Sequence, residues 1–328
     1  MKKVCLALLC VFIYLPHHVS AWGFYGHKMV NRLAVYSLPP EMFAFYKANI
    51  DYLTENAVNP DKRRYSDTSE ACRHYIDLDH YEKTLPIDTV PIRWNDAVKK
   101  LTKDTLLAYG IVPWHIQIML ERLTTAFKEK DMDRILFLSA DIGHYIADAH
   151  VPLHASENYN GQLTGQHGIH GFWESRLPEM FSAGYDLWVG KCYYISNPLQ
   201  YAWQASISSF AAIDTVLSFE KKLSSSFDAT KKYTIEFKGS SQVKTYSKEY
   251  ATAYNEMLNG QVERRLKESI LSVSNIWYTA WVNAGQPDLN ELVKGNKTTK
   301  PNDEQLKENI ANEQKLLNEQ RMIGRDEK

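Results

Sequence analysis

Two residue pairs in this 328-residue chain have the spacing of metal ligands: His144 with Asp148, and His170 with Glu174. On a helix, four residues bring both side chains of a pair onto one face, one turn apart. A third imidazole, His154, follows Pro152 between the pairs. A lone His with an acid four residues on is ordinarily an ion pair on a solvated helix face. The segment DRILFLSADIGHYIADAH around the first pair is apolar on nearly all sides, which leaves no solvated face. Burying both groups unpartnered would cost on the order of several kcal/mol. The density of His from His144 to His170 therefore points to zinc. Nitrogen and oxygen donors without thiolate suit a catalytic ion with positions open to water.

These donors need rigid helices, and the chain supplies the pattern for them. PWHIQIMLERLTTAFKEK has Pro near its first turn, apolar residues at helical spacing and Lys at its end. The buried segment carrying His144 and Asp148 follows after a short polar break. Pro152 ends that helix and His154 returns towards the same end, and HGFWE predicts a second helix for His170 and Glu174. NPLQYAWQASISSFAAIDTVLSFEKKL and the stretch 247–284 continue the helical pattern, whereas YTIEFKG predicts a small hairpin or extended excursion. Beyond Pro287 the chain is rich in Lys, Glu, Asn and Gln and reads as a solvated tail. No internal repeat is visible. The reading is one all-α domain over 22–290 with a charged tail over 291–328.

The chain opens with Lys2 and Lys3, an apolar run from Val4 to Leu15, and small residues Val19 and Ala21 at the positions a signal peptidase needs. Residues 1–21 are thus expected to be a signal peptide, giving an exported, periplasmic or secreted protein that starts at Trp22. No segment has the uninterrupted apolar length of about 20 residues that a transmembrane anchor requires. Export leaves Cys72 and Cys192, whose pairing the sequence does not decide. The chain is 44% hydrophobic with a formal charge of -1, about -3 after loss of Lys2 and Lys3. No global basic charge advertises nucleic acid, so a phosphate-bearing substrate must be held locally, by metal ions or a few Arg and Lys. No obligate protein partner is evident.

Two further segments offer donors: NPDKRRY, with Asp61 in a loop after a helix, and RHYIDLDHY, with His74 flanked by acids. Singly each is weak, since a loop Asp most often caps a turn. In order, WGxxGH from Trp22, the Asp61 loop, H-aromatic-I-D at His74, H-x-x-x-D with PLH, and H-x-x-x-E resemble the zinc-dependent phosphodiesterases. That group comprises the fungal and plant single-strand nucleases of the S1/P1 type and the bacterial zinc-dependent phospholipases C. The resemblance runs from Trp22 to about Pro287. It implies a mostly helical fold with three zinc ions in a cleft. Asp61, His74, His144 and Asp148 would hold one ion, and His154, His170 and Glu174 another. The third would take His27, Asp148 as a bridge, and the α-amino and carbonyl groups of Trp22. An amine and its own carbonyl close a five-membered chelate ring that an internal peptide cannot offer, so signal-peptide cleavage would create that site.

The resemblance also implies roles. Asp61 would orient or deprotonate the attacking water as well as bind zinc, and Arg64 would stabilise phosphate charge. Tyr75 and Asp77 match the positions where an aromatic stacks on a nucleobase and an acid accepts from base N–H groups. The start and Arg64 lean towards a nuclease cutting single-stranded DNA or RNA. Glu174, where the nucleases usually have Asp, leans towards a phospholipase C acting on phospholipid. A third reading is a metal-stabilised binding protein without hydrolysis. Of the other imidazoles, His150 reads as a supporting or exposed residue, His167 as a cleft rim, and His80 and His115 as structural.

Overall fold

The computed structural model describes residues 23–64, 66–238 and 241–295. The signal-peptide reading, Trp22 and residues 296–328 of the expected tail lie outside them. Among the described residues the architecture is helical apart from one two-stranded antiparallel sheet, β1 (Tyr233–Lys238) and β2 (Ser241–Tyr246). None of the described helices is long and apolar enough to cross a membrane.

The helix Met132–Ala149 is the axis of the fold. Asp131 caps it by accepting from the Arg134 amide at 3.1 Å, and the helix is buried from Leu138 to Ala149. It packs against the preceding helix, Val112–Glu129, which has Pro113 in its first turn and ends at Lys130 in the left-handed region. The helices Pro198–Ser226 and Gln261–Asn283 complete the core around it. The helical pattern of 247–284 is interrupted at Asn259 and Gly260, both with positive φ, so Lys248–Leu258 and Gln261–Asn283 are separate helices. The helix Asn290–Gly295 packs against Pro40–Ala48, with Leu289 buried beside it, so packed structure continues past residue 290.

The N-terminal helix Gly23–Ala34 crosses the central helix at unusually close range. Asn31 donates through Nδ2 to Ala140 O at 3.0 Å and Leu53 O at 3.3 Å, and a Cβ on Gly143 would lie 2.0 Å from Asn31 Oδ1. This contact sits one turn from His27 on one helix and next to His144 on the other, and the two imidazoles stack at 3.8 Å. Gly143→Ala is expected to push the helices apart, destabilising the protein by about 1–3 kcal/mol. It should also weaken metal uptake at His27 in a zinc titration. Unchanged melting and zinc content would show that the close approach is dispensable.

Candidate metal centre

The donors come from six places in the chain. His27 is on the N-terminal helix, and Asp61 lies within the short helix Asn59–Arg63 rather than in a loop, because Pro60 in its first turn starts a helix there. His74 follows the 3-10 turn Ala71–Arg73, His144 and Asp148 lie on the central helix, and His154 is on the 3-10 turn Pro152–Ala155. His170 and Glu174 sit where the helix Ile169–Gly171 runs into the π-turn Phe172–Arg176, a helical irregularity that often marks functional sites. All eight side chains are buried.

Their donor atoms converge in three groups: His74, His144 and Asp148; His27, Asp61 and His144; and His154, His170 and Glu174. Zinc bonds of about 2.0–2.1 Å set the ligand atoms of a tetrahedral site about 3.3 Å apart. His74 Nδ1 lies 2.9 Å from Asp148 Oδ2 and 3.1 Å from His144 Nε2, and His144 Nε2 is 3.3 Å from Asp148 Oδ2. Asp61 Oδ1 closes this set at 3.6 Å from His144 Nε2 and 3.9 Å from His74 Nδ1. In the other group, His170 Nε2 is 3.2 Å from His154 Nε2 and 2.9 Å from Glu174 Oε2. Asp148 links the groups: its Oδ1 is 3.4 Å from His27 Nε2 and 4.0 Å from His154 Nε2.

Polar satisfaction supports ion binding. Both Asp61 carboxylate oxygens, both His27 ring nitrogens and Asp148 Oδ1 are buried without a hydrogen-bond partner. Such groups are costly unless something else pairs them. The imidazoles are also pre-oriented. His144 Nδ1 donates to Ala57 O at 2.8 Å and His154 Nδ1 to His74 O at 2.6 Å, which leaves each Nε2 lone pair aimed into the cluster. The residues present therefore fit zinc.

Electrostatics agree. Burial pulls the His144 imidazolium down, but Asp148 and Asp61 outweigh it and lift its pKa to about 9. Burial alone would raise Asp148, yet His144 and His154 hold it well below the usual carboxylate range. Metal loading must displace the His144 proton, so uptake weakens as pH falls.

Behind His74 stands a buried ionic network that the sequence reading missed. Glu70 Oε1 lies 3.5 Å from His74 Nε2 and accepts from the Tyr145 hydroxyl, and its Oε2 accepts from Arg73 at 2.7 Å. Arg63 bridges Glu70 to Asp141 at 2.7 Å. Asp141, an acid in the middle of the apolar helix, was the signal in the sequence that could have revealed it.

The remaining named residues fall in varied places. Arg64 is partly exposed, its Nη1 4.0 Å from Asp61 Oδ1. Tyr75 is 2% exposed; its ring packs against Gly110 and its hydroxyl donates to Ala108 O, so it presents no open stacking face. Asp77 is likewise buried. His150 is a core residue: Nδ1 donates to Ile146 O, Nε2 meets the Ser272 hydroxyl, and burial followed by Arg265 depresses it to about 3. His115 is buried, His167 is exposed, and His80 stacks on Tyr109. Cys72 and Cys192 are both free thiols.

The family model described as S1/P1 nuclease matches residues 22–266. No curated protein matches the chain. Among solved structures, the alpha-toxin of Clostridium perfringens from an avian strain is similar with a TM-score of 0.45 and 13% identity, covering 82% of this chain. The chain spans 65% of the length of that toxin.

Proposed function

The chain belongs to the S1/P1 nuclease family, and from that premise we propose that it is an exported zinc-dependent phosphodiesterase that cuts single-stranded DNA or RNA. The observation that carries the reading is the convergence of eight buried donors in three adjoining groups linked by Asp148, with both Asp61 oxygens lacking a hydrogen bond. His27, Asp61, His74, His144, Asp148, His154, His170 and Glu174 would hold zinc, which would activate water at neutral pH and offset charge on the phosphate oxygens. Asp61, whose Oδ2 has no hydrogen-bond partner, would accept the proton of the attacking water. Arg64, one helical turn on from Asp61 and 4.0 Å from its Oδ1, would stabilise the negative charge that builds on the phosphate. His74, held from behind by Glu70, keeps its Nδ1 directed at Asp148. The amine and carbonyl of Trp22, which lies outside the described residues, would complete the donor set beside His27 and Asp148.

The test uses mature protein starting at Trp22 and loaded with zinc, assayed on single-stranded DNA, RNA and phosphatidylcholine with and without chelator. Asp61→Asn serves as the control for contaminants. Chelator-sensitive cutting of nucleic acid, lost in Asp61→Asn, is the expected result. Cutting of lipid alone would replace the nuclease reading by a phospholipase C and keep the metal chemistry. Zinc-loaded protein that cuts none of them would overturn the catalytic reading in favour of a binding protein.

A further inference from the structure

The hairpin β1–β2 is built inside out. Side chains alternate between the faces of a strand, and the apolar set normally points to the core. Here Ile235 and Phe237 point to solvent, 64% and 71% exposed, and Tyr233 is 37% exposed where it meets Tyr246, the buried base of the same face. The opposite face carries Glu236, which accepts from two guanidinium nitrogens of Arg176 at 2.8 and 2.5 Å and keeps a side chain 40% exposed, beside half-buried Thr234, Val243 and Thr245. An apolar stripe turned outward while a carboxylate on the opposite face is paired is a surface kept for a partner.

Its position ties it to the metal centre. Arg176 belongs to the same π-turn as Glu174. Tyr246, at the base of the hairpin, stacks on Phe172 of that turn at 3.8 Å. Lys232, just before β1, is held by Glu220 at 2.9 Å, and Glu220 also accepts from Gln166 in the loop that leads to His170. The hairpin is thus fastened to the two segments that deliver His170 and Glu174.

The chemistry of the face selects the occupant. Tyr233 and Phe237 are aromatic rings flanking Ile235, and the residue across from Ile235 is Lys244, whose ammonium lies 4.3 Å from the Tyr233 ring. At the base Lys231 pairs with Asp228 at 4.0 Å and Lys248 stands beside the exposed Glu249, so Lys244 is the cation of the face itself, while the acid of β1 is paired with Arg176. Exposed aromatic rings along a strand beside a cation offer stacking faces for bases, and a counter-charge for phosphates, of a single strand. We propose that the outward face of this hairpin, Tyr233, Ile235, Phe237 and Lys244, is a stacking platform for single-stranded nucleic acid that extends substrate binding beyond the zinc cluster. The proposal rests on the nuclease reading above.

The test compares zinc-loaded wild type with Phe237→Ser and Lys244→Ala on two substrates, a dinucleotide and a single-stranded oligonucleotide of about twenty nucleotides. Both side chains are exposed, and equal melting temperatures confirm the fold. Phe237→Ser is expected to raise KM for the oligonucleotide about 10-fold with kcat unchanged, and to leave dinucleotide cleavage as in wild type. Lys244→Ala should reduce the salt dependence of oligonucleotide binding. Unchanged KM for the oligonucleotide in both variants, with cleavage intact, would overturn the platform and leave the nuclease reading standing. Wild type that cuts neither nucleic acid but cuts phosphatidylcholine vesicles, with Phe237→Ser losing vesicle binding, would overturn both and make the face a lipid contact. A wild-type dimer in sedimentation that Phe237→Ser converts to monomer, with no change in KM, would assign the face to a second copy and likewise sink the proposal.

Discussion

Asp148→Asn is expected to lower kcat/KM by about 1,000-fold or more and to leave the purified protein with at least one zinc ion fewer than wild type. The reason is its position between the donor groups. One oxygen lies 2.9 Å from His74 Nδ1 and 3.3 Å from His144 Nε2, and the other 3.4 Å from His27 Nε2 and 4.0 Å from His154 Nε2. Asparagine keeps the shape but converts one oxygen to an amide nitrogen, which is a poor ligand, and removes the charge that offsets the cations. It cannot serve on both sides. Asp51→Asn, at an exposed carboxylate paired with Arg32, should change neither quantity. The measurement is metal analysis of the purified proteins beside steady-state kinetics on the same samples. Full zinc occupancy together with wild-type kinetics in Asp148→Asn would remove the idea of a shared bridging ligand.

How far this centre could be read from the sequence depends on how local each signal is. His144 with Asp148 could be found because a helix fixes the geometry of four-residue steps, and the apolar surroundings ruled out a solvated ion pair. His170 with Glu174 kept its pairing at 2.9 Å even though the backbone there takes a π-turn, since both ends still face one way. The meeting of Asp61 and His74 with the central helix depends on tertiary packing, which residue spacing does not encode; the ordered resemblance supplied it. Burial of single side chains was less legible. HYID reads equally as a binding loop or as core, and packing against Gly110 decides for the core at Tyr75. His150 ends a buried helix, and the later helix Gln261–Asn283 brings Ser272 and Arg265 over it. The hairpin was visible as an alternation in YTIEFKG, but alternation gives no sign of which face turns outward. That choice is made by Arg176, far away in the chain, which pairs with Glu236 on the opposite face.

Removing zinc should lower the melting temperature by at least about 10 °C, in addition to abolishing hydrolysis. Each site filled at about 100 to 1,000 times its dissociation constant contributes about 3–4 kcal/mol through preferential binding to the native state. In a domain of this size about 1 kcal/mol corresponds to 2–4 °C. Two adjustments set the lower bound. Without ions, Asp61 keeps two buried oxygens with no hydrogen bond, which adds to the loss. Against that, a proton on His144, favoured by Asp148 and Asp61 over the opposing effect of burial, offsets part of the missing cationic charge below pH 9. The protonated cluster still balances less negative charge than the zinc-loaded one, because a single proton replaces divalent ions. Chelated protein should therefore melt early and recover on addition of zinc, and Asp148→Asn should melt between the two forms. A melting temperature unmoved after zinc is shown analytically to be gone would mean that the core packing alone holds these carboxylates in place, and the buried donors would then need another source of compensation.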